Sequence, residues 1–172
     1  MINNMENLLL IIDTQEGFRY AESEAVLPNI LKLRESFKGK IVFSKFTNDK
    51  NSLFEKQLNW TKFQSEKDKK LFSELQASNN IEFEHNGYTV LDENLVKFIK
   101  KNGTTKVYLC GIYTDVCIIK TAMDLFDKNI ETFVIEDACN SLHGKSIHNS
   151  AIESLRHILG KKQILLTNDA CL

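Results

Sequence analysis

Six short runs dense in apolar, β-branched and aromatic residues punctuate the chain: LLLII (8–12), KIVFSKF (40–46), IEFE (81–84), KVYLCGI (106–112), ETFVIE (131–136) and QILLT (163–167). Runs of this length, mostly without polar alternation, read as strands covered on both faces. Between them the apolar positions recur at helical spacing over 28–38, about 65–77, 93–101, 115–127 and 146–159. The lone proline, Pro28, would open the first of these helices, where its missing N–H is tolerated. Strands that alternate with helices predict βαβ units, hence an α/β fold with a parallel sheet sandwiched by helices. No repeat, Gly/Ser linker or low-complexity tract breaks the alternation, so residues 1–172 read as one domain.

The segment TNDKNSLFEKQLNWTKFQSEKDKK (47–70) lacks a clear period and carries Phe54, Leu58, Trp60 and Phe63 among charges. It reads either as a solvated loop and helix or as a cover over a pocket. In open parallel sheets, ligands bind beyond the carboxyl ends of the strands. Three residues with chemistry to offer fall at that rim: Asp13 after the first run, His85 after the third and Cys117 past the fourth. Thr114 is placed to N-cap the following helix. Cys117 would then be its third residue, where free N–H groups and the helix dipole favour a thiolate. Each has a plainer reading: Asp13 as a turn cap, His85 as an exposed turn residue beside Asn86-Gly87, Cys117 as an inert buried thiol. Taken together, a carboxylate, an imidazole and a helix-start thiol make an activated nucleophile.

Composition narrows the field. A hydrophobic content of 42% in 172 residues suffices for one core. A formal net charge of -1, with Lys and Arg scattered, gives no reason to expect nucleic acid or an anionic membrane as partner. NLLLII near the N-terminus is too short to span a bilayer and has no basic flank, so a cytoplasmic protein is expected. The cysteines form no C-x-x-C pair and no zinc-like spacing with histidine; Cys110 reads as core filler and Cys171 as tail. DTQEGF stands where a dinucleotide-binding fold needs G-x-G-x-x-G, so that reading is set aside and no cofactor is expected.

The blocks LLLIIDTQEGF, GYTVL, LCGIYTDVCIIKTAMD and VIEDACNS followed by HNSAIESL, in this order across most of the chain, resemble the isochorismatase-like cysteine hydrolases, which include nicotinamidases and related small-amide hydrolases. The resemblance implies a doubly wound, Rossmann-like three-layer sandwich with a parallel six-stranded sheet, and a homodimer or homotetramer. It implies an Asp-Lys-Cys triad with Asp13 and Cys117 at two of its positions. It also implies a cis Ile112-Tyr113 peptide, so that the backbone N–H groups of Tyr113 and Cys117 form an oxyanion hole. Two departures stand out. HNGYT puts His85 where the family places its lysine, and SKFTNDKNSLF lacks the D-x-H motif of metal-binding members, so no metal is expected. Phe18, Trp60 and Tyr113 are candidates to line a small planar pocket, and Lys45 to face a substrate carboxylate. Asp137, Ser141 and His148 are expected to be structural, and His143 is assigned no role.

The expected activity is therefore hydrolysis of a small amide-type C–N bond through a Cys117 thioester, with a small molecule as substrate. The alternative is a pseudoenzyme that keeps fold and pocket as a binding or assembly module. Histidine supplies lysine's charge only while protonated, and its ordinary pKa of about 6.5 makes that conditional near neutrality.

Overall fold

The computed structural model describes residues 7–170; Cys171 lies outside them. Its strands are β1 (Asn7–Ile12), β2 (Lys40–Phe46), β3 (Ile81–His85), β4 (Lys106–Ile112), β5 (Glu131–Asn140) and β6 (Ile164–Leu165). They form one parallel sheet in the order β3-β2-β1-β4-β5-β6. The order reverses between β1 and β4, and it is outside the carboxyl ends of such a pair that a doubly wound fold opens a crevice. Residues Leu8 to Ile12 of β1 are wholly enclosed, because β1 has a strand on each side and helices above and below. Ile12 lies opposite Gly111. With φ at +117° and a would-be Cβ 2.1 Å from the Ile12 carbonyl oxygen, position 111 accepts only glycine, and β4 can then run hard against the end of β1.

The helices are α1 (Ala21–Ser36), α2 (Leu53–Leu58), α3 (Glu66–Lys69), α4 (Glu93–Lys101), α5 (Ile119–Asp127), α6 (Lys145–Ile158) and α7 (Thr167–Ala170). α1 and α7 pack together against β5 on one face, and α5 and α6 pack together on the other. This is the three-layer sandwich expected. Among the described residues, no helix is long and apolar enough to cross a membrane.

Three local expectations fail, each for a physical reason. α1 begins at Ala21, so Pro28 lies inside the helix rather than at its start. Ser23 secures the beginning, with its Oγ accepting the Tyr20 N–H (2.9 Å) and donating to the Phe18 carbonyl (2.7 Å). Pro28 deprives the Glu24 carbonyl of its partner, a loss outweighed by the buried side chains of Val26, Leu27, Ile30 and Leu33. The stretch 65–77 is not one helix either. α3 stops at Lys69, Leu71 pairs antiparallel with Gln15, and a short 3-10 turn follows at Ser73–Leu75. Leu71, Phe72 and Leu75 are all buried, and their spacing imitates a helix face. Finally, β5 continues past residue 136 because its register against β4 jumps from Leu109–Val134 to Gly111–Cys139. The bulge presents Asp137, whose Oδ1 accepts the N–H and hydroxyl of Thr167 at 2.8 Å each and so ties α7 down.

Candidate active site

Asp13 follows the last residue of β1 with φ at 54°, a left-handed conformation that aspartate tolerates better than most residues. The Gln15 N–H donates to the Asp13 carbonyl at 2.8 Å and closes the turn. Gln15 is itself buried as a peg. Its Nε2 donates to the carbonyls of Phe46 and Lys69 (3.0 Å each), and its Oε1 accepts the Phe46 N–H (2.7 Å). The first strand's exit is thus fastened to the end of the second. Ser44 of β2 adds a reciprocal clasp, accepting the Asp13 N–H (3.2 Å) and donating its hydroxyl to Asp13 Oδ1 (2.6 Å).

His85, the last residue of β3, reaches the same carboxylate. Its Nε2 lies 2.8 Å from Asp13 Oδ1 and its Nδ1 lies 2.9 Å from the Gly87 carbonyl oxygen. A carbonyl oxygen only accepts, so Nδ1 donates to Gly87, and a carboxylate facing Nε2 favours a second donated hydrogen bond and with it the protonated ring. Burial opposes that charge, but the Asp13 carboxylate and the Gly87 carbonyl outweigh it and hold the His85 pKa above its ordinary 6.5. The positive charge that this ring can carry is therefore favoured by its carboxylate neighbour.

Lys45 does not face the substrate pocket as expected. Successive strand residues face opposite ways, so with Ser44 turned toward Asp13 and Phe46 toward the aromatic cluster, Lys45 points elsewhere. It pairs with Glu82 (3.2 Å) and Glu84 (3.7 Å) of the neighbouring strand and faces no pocket that Cys117 shares.

The chain leaves β4 through a cis Ile112-Tyr113 peptide and makes a single π turn, Thr114–Ile118, before α5. Thr114 is not the cap expected of it. The cap position is Tyr113, and Thr114 Oγ1 instead shares a hydrogen bond with His148 Nδ1 (2.9 Å), tying the turn to α6. Cys117 lies within this turn, nearly enclosed. Burial, and then the Asp13 carboxylate, push its thiol well above the ordinary range, while the Tyr113 N–H at the sulfur pulls the other way. The resting group is consequently a thiol, not the thiolate that a helix start alone would favour. Asp13 Oδ2 is buried without a hydrogen bond of ordinary length, and the Asp13 carboxylate is the acceptor that acts on this thiol.

Above Cys117 opens a pocket of ≈ 260 Å³ with Phe18, Phe46, Phe54, Trp60, Tyr113 and His143 in its wall. Phe18 meets Tyr113 edge-on at 5.3 Å and lies parallel to Trp60 at 6.2 Å, so the walls suit a flat ligand. The segment 47–70 supplies Phe54 and Trp60, which makes it the cover of this pocket. Sequence reasoning missed Ser44, Gln15 and His143. The first two act through contacts with residues far along the chain, and nothing local marks them. The signal for His143 was its nearness to the VIEDACNS block, where the loop after β5 returns to the rim.

Among the described residues, no three His, Cys, Asp or Glu side chains gather to hold a metal ion. The isochorismatase domain family model matches residues 7–163. Isochorismatase family protein 2A from Dictyostelium discoideum is 28% identical over 156 residues, covering 87% of this chain and 74% of that protein. An isochorismatase-like hydrolase from Alkaliphilus metalliredigens superposes with a TM-score of 0.85 at 16% identity, over 95% of this chain and 96% of the other. A nicotinamidase from Bacillus subtilis superposes with a TM-score of 0.81 at 21% identity, over 94% and 99% of the two chains.

Proposed function

Because the chain belongs to the isochorismatase family, we propose that it is a working cysteine hydrolase that splits a small, flat amide into an acid and an amine or ammonia. The observation that carries this reading is the shared carboxylate: Asp13 offers Oδ1 to His85 and leaves Oδ2 unpartnered at a thiol it electrostatically influences.

In the proposed reaction, Asp13 Oδ2 takes the Cys117 proton as Sγ attacks the carbonyl carbon. The backbone N–H groups of Tyr113 and Cys117 receive the oxyanion. Asp13 then passes the proton to the departing nitrogen, the C–N bond breaks, and water hydrolyses the thioester. His85 takes no proton in this scheme, since both of its nitrogens are already bound. It holds the Asp13 carboxylate in place through Oδ1 and sets a positive charge beside it, which is the service a lysine would give permanently. A nicotinamidase among the structural neighbours agrees with an aromatic carboxamide as the first substrate to try. A homodimer or homotetramer remains part of the proposal.

The test is ammonia release from a panel of aromatic and aliphatic carboxamides and N-carbamoyl amines. At least one flat member should turn over with a kcat/KM within the common enzymatic range of about 10⁴–10⁸ M⁻¹s⁻¹. A panel that binds in the pocket but yields no ammonia with any member would instead indicate a binding module.

A further inference from the structure

Resting on the hydrolase reading above, we propose that His143 is the general base for the second half of the reaction, activating the water that hydrolyses the Cys117 thioester. His143 lies in the loop between β5 and α6 and lines the same pocket as Cys117. Its ring packs on that of Tyr113 with centroids 5.3 Å apart and planes at 33°. Its backbone N–H donates to Ser141 Oγ (3.0 Å), and its Nδ1 lies 2.8 Å from Asp115 Oδ2. The carboxylate accepts only, so Nδ1 carries a proton and Nε2 is the nitrogen left for chemistry. Asp115 belongs to the turn that carries Cys117, and its Oδ1 is buried without a hydrogen-bond partner. A carboxylate that fixes an imidazole by one nitrogen and frees the other is the arrangement by which histidine acts as a base.

The inner pair does not serve this step as well. His85 has no free nitrogen, because Asp13 and Gly87 occupy both. Asp13 is wholly enclosed, whereas the His143 side chain is 59% exposed and lines the pocket, within reach of solvent. A water oxygen bonds to the acyl carbon while one of its protons moves to His143 Nε2. The C–S bond then breaks with its electron pair returning to Sγ. The remaining acid proton passes to Sγ to regenerate the thiol, and His143 releases its own to solvent.

The probe is 4-nitrophenyl acetate, which needs no knowledge of the natural substrate: nitrophenolate release reports acylation of Cys117, and the steady rate reports deacylation. With His143→Ala, acylation should proceed while steady turnover falls by roughly 100-fold, the lower end for a general base. Acetylated Cys117 should accumulate in the intact-protein mass spectrum, and free imidazole should restore turnover. His143→Gln should behave alike, which guards against a cavity effect. Equal loss of both phases, or turnover unchanged by the substitution, overturns the role of His143 while leaving the hydrolase reading standing. Nitrophenolate release no faster than from Cys117→Ala overturns both.

Discussion

Cys117→Ala is expected to abolish amide turnover, with a loss in kcat on the order of 10⁶-fold, the scale seen when a covalent nucleophile is removed. The size follows from the site's construction. The hydrolase reading has two half-reactions, and both pass through a bond to Sγ, so nothing else in the pocket can substitute. Asp13 is too enclosed to attack a carbonyl itself, and His85 has no free lone pair. The fold should survive, since the substitution removes a single sulfur from a turn held by Thr114–His148 and by the Ile118 N–H to the Tyr113 carbonyl (3.0 Å). Ammonia release and a thermal melt on the same preparation check both halves of the claim. Retained turnover would mean that another residue is the nucleophile.

Asp13→Asn is expected to move two readouts in opposite directions. Turnover should fall by about 10²–10⁴-fold, because the base that takes the thiol proton is gone. Alkylation of Cys117 by iodoacetamide should nevertheless accelerate at neutral pH, since burial and that same carboxylate are what raise the thiol. An ordinary loss of structure would not produce the pair of effects with a retained melting transition. The substitution also strips His85 of its counter-ion. In the unsubstituted protein, His85 sits above its ordinary 6.5. Its bound proton therefore stabilises the folded state fully below about 6.5, and that contribution is lost as pH rises through the folded value. Denaturant midpoints should decline as pH rises from about 6.5 through the folded value of His85 in the parent protein and stay flatter in Asp13→Asn.

The layout of the sheet was legible because β1 and β4 are almost unbroken apolar runs and β2 opens on one, and parallel strands placed Asp13, His85 and Cys117 at one rim. Their mutual contacts were legible only in outline. That His85 meets the Asp13 carboxylate, while the same carboxylate acts on the Cys117 thiol, depends on side-chain directions at three separate strand ends. The thiolate expected at Cys117 failed because the turn there is enclosed, and burial beside a carboxylate outweighs a helix start. Lys45 failed by strand parity: one residue on either side, Ser44 and Phe46 face the site. The stretch 65–77 misled because Leu71, Phe72 and Leu75 satisfy a helical period while Gln15 recruits Leu71 into a bridge. Pro28 marked a helix boundary that α1, begun earlier at Ser23's clasp, overrides. Ser44 and Gln15 carry no local signal at all, since each acts by bonding a backbone group 31 residues away.

The central claim is that His85, charged through Asp13, does the work of a lysine. The most direct test is the pH dependence of Cys117 acylation by 4-nitrophenyl acetate in the parent and in His85→Lys, with Cys117→Ala as the baseline. The account predicts that the parent loses acylation on the alkaline side as the imidazolium gives up its proton and the Gly87 carbonyl loses its donor. The lysine variant, whose ordinary pKa is about 10.4, should carry acylation to distinctly higher pH. Superimposable profiles for the two proteins would contradict it, because the charge at position 85 would then have no part in the chemistry.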